Sequence, residues 1–199
     1  MTIKIDSEGQ VDVTVIHRDN PARLLVSEMA ILYNSIIAEF CKAEGIPALY
    51  RVQPSPEISD INTDISNEQM KRYQLTKRLL PAELKSTPDS HGSLGVSAYV
   101  QATSPLRRYP DMIMQRQVAS YISTGSPFYT QEEINSILHR AEIQMRDIAR
   151  LEESRKRYWF LKFLSNKVLE NPSDSKAPKL FNATILENEP HRRTLLELN

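Results

Sequence analysis

The sequence predicts an α+β fold in which long helices pack on a mixed sheet. Three observations predict it. Apolar residues alternate with period two in short segments around 3–15, 48–52, 95–102 and 181–198, the pattern of half-buried strands. They recur at helical spacing in two long stretches, 21–44 and 131–169. Gly, Pro and capping residues mark the boundaries between these segments.

Ile3 and Ile5 alternate into Val11, Val13 and Val15 around a Ser7-Glu8-Gly9 turn, which predicts a β-hairpin. Asn20-Pro21 then starts a helix, with an Asn N-cap and Pro at the first helical position. Leu25, Met29, Leu32, Ile36 and Phe40 follow on one face, with Tyr33 and Ile37 beside them, and Gly45 and Pro47 stop the helix. At 1.5 Å per residue it is about 36 Å long, enough to cross a domain. Residues 48–52 form a short strand ended by Pro54 and Pro56. Ser66-Asn67-Glu68-Gln69 is a capping box for a helix running to about Leu80. Residues 81–93 form a loop and 95–102 a strand. Ser104-Pro105 starts a helical turn, and Pro110 starts a helix that ends at Gly125. Thr130-Gln131-Glu132-Glu133 is a second capping box, opening one helix or two up to about Leu169. Residues 171–178 have the composition of a linker, and a second hairpin follows. Two short strands bury no core alone, so this hairpin reads as the start of a further domain. The expected division is therefore 1–170, a linker at 171–178, and 179–199.

Of the 199 residues, 40% are hydrophobic and 25% charged, ordinary values for a globular chain. No run approaches about 18 consecutive apolar residues. The first ten residues are polar and alternating, unlike a signal peptide. Cys41 is the single cysteine, which excludes an internal disulfide. These features point to the cytosol. Net charge is zero, but residues 1–70 carry 5 Lys/Arg against 11 Asp/Glu, and residues 71–170 carry 16 against 10. A basic middle can face a polyanion despite a neutral total.

The informative string is His91-Gly92-Ser93-Leu94-Gly95 followed by Tyr99-Val100-Gln101-Ala102-Thr103-Ser104-Pro105-Leu106-Arg107-Arg108-Tyr109-Pro110-Asp111. Adjacent arginines stand at the mouth of a helix started by Ser104-Pro105. A helix N-terminus offers free N–H groups and positive potential, which suit a phosphate. Arginine adds a planar fork for phosphate oxygens, and the Thr103 and Ser104 hydroxyls add donors. On the dipeptides alone, a helix start with solvated arginines is the better reading.

The whole string resembles the signature near the end of the RNB domain of ribonuclease II and ribonuclease R. Residues 25–34, with Ser27 in place of a first acid and Glu28 keeping a second, resemble the family's long helix. Residues 47–53 resemble its next strand, and 152–164 its closing helix. The string from Phe181 resembles the start of the OB-type RNA-binding domain that follows. The resemblance is nearest to cyanobacterial and plastid members, which adds the plastid stroma to the expected locations. It implies magnesium-dependent hydrolysis of single-stranded RNA from the 3′ end to nucleoside monophosphates. It implies Arg107 as the catalytic arginine that stabilises charge on phosphoryl oxygens, and Arg108 as the holder of a neighbouring phosphate. Tyr109, Ser104 and Thr103 shape the turn and meet RNA, Glu28 lines the pocket near the 3′ end, and Glu152 lies close to the active site.

One departure matters for activity. The family's metal-binding aspartates do not match Asp6, Asp12, Asp19, Asp60 or Asp64, so no metal ligand is assigned here and Mg²⁺ is a family-level cofactor. The chain is therefore expected to be inactive alone, a fragment contributing the arginine half of the site. A non-catalytic RNA-binding module, or a remnant, is the alternative. Apolar surface exposed by truncation is expected to favour self-association. His17, His91, His139 and His191 lack metal-ligand spacing. Arg140, Arg146, Arg150, Arg155, Lys156 and Arg157 read as partners of Glu142, Asp147, Glu152 and Glu153 along a helix.

Overall fold

The structure is a computed structural model that describes residues 2–14, 20–55, 67–169, 183–189 and 193–198. In chain order its elements are β1 (Thr2–Ile5), β2 (Val11–Thr14), α1 (Pro21–Ala43), β3 (Tyr50–Val52), α2 (Glu68–Arg78), β4 (Glu83–Lys85), a 3-10 turn (Gly92–Leu94), α3 (Tyr109–Thr124), α4 (Gln131–Leu169), β5 (Ala183–Glu189) and β6 (Arg193–Leu198). The chain divides into two units. One comprises Ile16–Pro56 and Leu80–Glu153, the other Met1–Val15, Glu57–Leu79 and Ser154–Asn199. The expected linker at 171–178 lies outside the described residues.

The α+β expectation holds in a more helical form. Among the described residues the strands make three two-stranded antiparallel pairs, β1–β2, β3–β4 and β5–β6. The mixed sheet shrinks to β3–β4 with isolated bridges beside it: Tyr50 to Val100 antiparallel, and Gln53 to His91 parallel. The predicted strand at 95–102 is extended but does not pair as a strand. It makes isolated bridges only: the Tyr99 carbonyl accepts from the Arg51 N–H and the Val96 carbonyl from the His91 N–H, while the Ala102 N–H donates to Asn34 and the Ala102 carbonyl accepts from Gln115. The loop predicted at 81–93 contains β4, paired to β3 with Arg51 opposite Leu84.

In the first unit, α1 begins as predicted. The Asn20 Oδ1 accepts from the Ala22 N–H at 3.0 Å, with Pro21 at the first helical position. It ends where Gly45 takes a left-handed φ of 65° and the Ile46 N–H closes on the Cys41 carbonyl. The face differs from the predicted one. Asn34, Ala38 and Cys41 are buried, with Ile37 and Phe40 packed on the core. Leu25, Met29, Leu32 and Ile36 are each more than half exposed, as are Leu24 and Val26. The helix is apolar on both sides, and periodicity does not say which side finds a partner. By length and composition alone α1 is also long and apolar enough to cross a membrane. Its second half nonetheless carries the buried polar Asn34, which is bonded into the core of this unit.

That core joins Ala38 and Cys41 of α1, Leu49, Tyr50 and Val52 around β3, Ala98 and Val100, Ile113 and Met114 of α3, and Ile134 and Ile137 of α4. Gln117 is buried at its centre and satisfied three ways. Its amide donates to the Pro47 and Tyr129 carbonyls, and its Oε1 accepts from the Tyr129 N–H at 2.7 Å. Cys41 is a free core thiol whose pKa burial pushes up to about 11, so it is inert. The helix α3 ends as predicted at Gly125, φ 72°. The Thr130 capping box forms reciprocally: the Thr130 N–H donates to Glu133, and the Glu133 N–H donates to the Thr130 hydroxyl. The ion pairs expected along α4 are not formed among the described residues; Arg140 turns back on Ser136.

In the second unit, β1 and β2 pair with Ile5 opposite Val11. The Asp6 carboxylate holds the turn by accepting from the Glu8 and Gln10 N–H groups. Asn67 accepts from the Met70 N–H in the first turn of α2, which stops at Arg78 rather than about Leu80; Ser66 of the expected capping box lies outside the described residues. The hairpin expected after 181 is present as β5–β6, with a bulge between Ile185 and Glu187. Two strands do not make the five-stranded barrel of an OB domain, and an OB segment is not evident.

Candidate nucleic-acid interface

The string 91–111 runs beside β3 and along the second half of α1, in the first unit. It is anchored first by Asn34, which is 1% exposed. The Asn34 Nδ2 donates to the Tyr99 hydroxyl at 2.9 Å, and its Oδ1 accepts from the Ala102 N–H at 3.0 Å. Gln115 of α3 donates to the Ala102 carbonyl at 2.7 Å. Both backbone groups of Ala102 are thus tied to different helices, which fixes where residue 103 begins.

The next five residues turn on Ser104. Its carbonyl accepts from the Arg107 and Arg108 N–H groups at 3.2 and 3.0 Å. Its own N–H donates to Asp111 Oδ2 at 2.8 Å. Asp111 is fully buried in the first turn of α3, and the same oxygen accepts from Arg108 Nη2 at 2.7 Å. Arg108 Nη2 also reaches the Thr103 hydroxyl at 3.1 Å. The predicted Ser104-Pro105 helix is therefore a single turn, and Arg108 is the extended N-cap residue of α3. A buried carboxylate costs several kcal/mol unless it is paired and hydrogen-bonded; Arg108 and the Ser104 N–H satisfy Oδ2, while Asp111 Oδ1 and Arg108 Nε are buried without a hydrogen-bond partner among the described residues.

The two arginines consequently differ. Arg108 is committed to Asp111, with about a quarter of its side chain exposed. Arg107 is exposed, and its guanidinium makes one long contact, 3.5 Å to the Ser104 hydroxyl. Leu106 beside it is fully exposed, and Tyr109 is half exposed at the start of α3. Thr103 is exposed and Ser104 half-buried. Glu28 is exposed on α1 and Glu152 on α4; neither is within ion-pair distance of Arg107 or Arg108. The structure thus brings Thr103, Ser104, Arg107, Arg108 and Tyr109 together and leaves the two glutamates apart.

His91 and its loop are clipped onto β3. The His91 N–H donates to the Val96 carbonyl and the Gly92 N–H to the Gln53 carbonyl. Ser93 donates to the Gln53 side chain, which donates in turn to the Leu80 carbonyl. A Cβ on Gly92 would lie 2.8 Å from the Pro54 carbonyl oxygen, so only glycine fits there. His91 is buried against Tyr99, ring centroids 5.4 Å apart. Burial and the neighbouring Arg51 charge push its pKa down.

Sequence reasoning missed Asp111 and Asn34 as the pieces that hold the turn. Asp111, three residues after Arg108 in a first helical turn, carried the available signal. Arg51, on β3 and not singled out from sequence, is taken up below. Among the described residues no three His, Cys, Asp or Glu side chains converge. The described residues therefore do not form a magnesium site.

Comparisons with known proteins identify the family of the chain and its fold. The RNB domain pattern matches residues 1–124. An uncharacterized ribonuclease of Synechocystis sp. is 34% identical over 171 residues, 84% of this chain and 25% of the relative. The chloroplastic/mitochondrial ribonuclease II of Arabidopsis thaliana is 31% identical over 163 residues, 80% of this chain and 20% of the relative. The chain thus spans between a fifth and a quarter of the length of these relatives. In fold it is similar to the Dss1 exoribonuclease of Candida glabrata, with a TM-score of 0.78 at 19% identity, covering 98% of this chain and 25% of that one. Mycoplasma genitalium RNase R in complex with single-stranded RNA gives a TM-score of 0.68 at 18% identity, covering 83% and 32%. With the domain pattern matched across more than half its length, and with the arginine turn built into the matched segment, this chain belongs to the RNB-domain family.

Proposed function

We propose that this chain supplies the phosphate-gripping half of a 3′-to-5′ exoribonuclease site acting on single-stranded RNA. Arg107 is the group that meets the scissile phosphate. The observation that carries this reading is the division of labour in the turn. Arg108 is spent on Asp111, and Arg107 is left exposed on a backbone fixed by Ser104, Ala102 and Asn34. A guanidinium carried on a fixed backbone starts close to where charge develops on phosphoryl oxygens, and its planar fork suits two of them. Arg108 acts as a positioning residue, because its pair with Asp111 sets the path of the chain on which Arg107 stands. The Thr103 hydroxyl and the half-exposed Tyr109 flank the same approach. On this reading magnesium, the family's cofactor, is held by carboxylates contributed from outside the described residues and supplies the activated water.

The reading predicts binding without cleavage. Labelled single-stranded RNA mixed with the full chain and Mg²⁺ should be retained but not shortened. It should be shortened only when the remainder of an RNB domain is supplied in trans. Shortening by this chain alone would contradict the half-site reading. Failure to retain RNA at low salt would contradict the phosphate role.

A further inference from the structure

A second arginine in the first unit has no ion-pair partner among the described residues. Arg51 is the middle residue of β3, between buried Tyr50 and Val52, so it points to the opposite face of the ladder from the core. That face forms the floor of a cleft of about 340 Å³ with Pro81, Ala82, Glu83 and Leu84. The wall is α4, which presents Glu142, Met145, Arg146 and Ala149, the i, i+3, i+4, i+7 stripe of one helix face. Arg51 is half-buried there, yet no carboxylate among the described residues lies within ion-pair distance of it, Glu83 and Glu142 included.

We propose that this cleft is a nucleotide subsite in which Arg51, aided by Arg146, takes a backbone phosphate of single-stranded RNA. Its apolar wall of Met145, Leu84 and Pro81 receives the base. The proposal deepens the functional reading above and rests on it. The volume falls at the small end of the range for ligand clefts, the size of one nucleotide rather than a helix. A partly desolvated guanidinium without an anion is costly inside a fold, and a phosphate removes that cost with two charge-assisted bonds. The cost is visible in the cation itself: burial first, and the like charge of Arg108 second, pull its pKa down, although arginine stays protonated. That coupling also places Arg51 in the same positive field as the Arg107–Arg108 turn. Glu83 and Glu142 at the rim are acceptors suited to a ribose hydroxyl or an exocyclic amine, and they disfavour a bare anion without those donors.

The test uses the full chain, a fluorescein-labelled oligouridylate, uridine 5′-monophosphate and inorganic phosphate. Arg51→Met should weaken oligouridylate binding about tenfold, with Arg51→Lys intermediate and Arg146→Ala weaker in effect. Uridine monophosphate should compete for the site and inorganic phosphate should compete poorly. Equal competition by inorganic phosphate would overturn the nucleotide assignment. Because Arg51→Met removes an unpaired cation, its melting temperature should equal or exceed that of the wild type. A lower one would mean the guanidinium is satisfied within the fold, and would overturn the proposal. If Arg107→Ala weakens RNA binding while Arg51→Met and Arg51→Lys do not, the subsite is refuted and the phosphate role of the turn stands. If uridine monophosphate binds through Arg51 but RNA is not bound at all, the cleft is a mononucleotide site, and both the RNA subsite and the exoribonuclease reading fail.

Discussion

Two side chains decide the geometry on which Arg107 depends, and neither is an arginine. Asn34 satisfies the Tyr99 hydroxyl and the Ala102 N–H from inside the core. Asn34→Ala removes both bonds and strands two buried groups. It should cost about 2–4 kcal/mol in a denaturant titration, well above the median for a point mutation. A loss under about 0.5 kcal/mol would show that Asn34 is not a tie point. His91 makes a separate prediction. Its folded pKa lies below its ordinary value, so between the two the unfolded chain binds more protons. Stability is then fully present above about pH 6.5 and falls as the pH drops through that value toward the folded pKa. The wild type should lose more stability than His91→Gln between pH 7.5 and 5.5, measured by urea midpoint. Equal losses would remove His91 as the cause. Of these residues, the arginine turn was legible in the sequence because its string has fixed spacing. The roles of Asn34 and Asp111 were not, because a polar residue on a helix looks the same from sequence whether it faces water or a buried N–H.

At the scale of elements, boundaries were more legible than faces. The Asn20-Pro21 start, the Gly125 stop and the Thr130 capping box all act through local backbone chemistry, and all three formed as read. The core face of α1 did not, since Leu25, Met29, Leu32 and Ile36 share a helix with Ile37, Ala38 and Cys41 and only the latter side is packed. The strand expected at 95–102 is reduced to isolated bridges for a related reason: at Ala102 the side chains of Asn34 and Gln115 stand where ladder partners would. The exposed α1 face is a contiguous apolar stripe of the kind that drives association. Replacing Leu25, Met29, Leu32 and Ile36 with lysine and glutamate should reduce self-association in sedimentation while leaving the melting temperature unchanged. A drop in melting temperature would place that face inside the fold.

For the molecule as a whole, the chain carries a matched RNB segment and spans at most about a quarter of the relatives described above. The half-site reading rests on an arginine turn pre-set by the buried anchors Asn34 and Asp111. Its centre is that Arg107, and not the neighbouring paired Arg108, neutralises an RNA phosphate. The most direct measurement is the salt dependence of oligouridylate affinity for the wild type and Arg107→Ala. Each phosphate contact on a single strand contributes about 0.7 to the slope of log affinity against log salt. The variant should bind more weakly and show a slope shallower by about that amount. An unchanged slope with unchanged affinity would contradict the account.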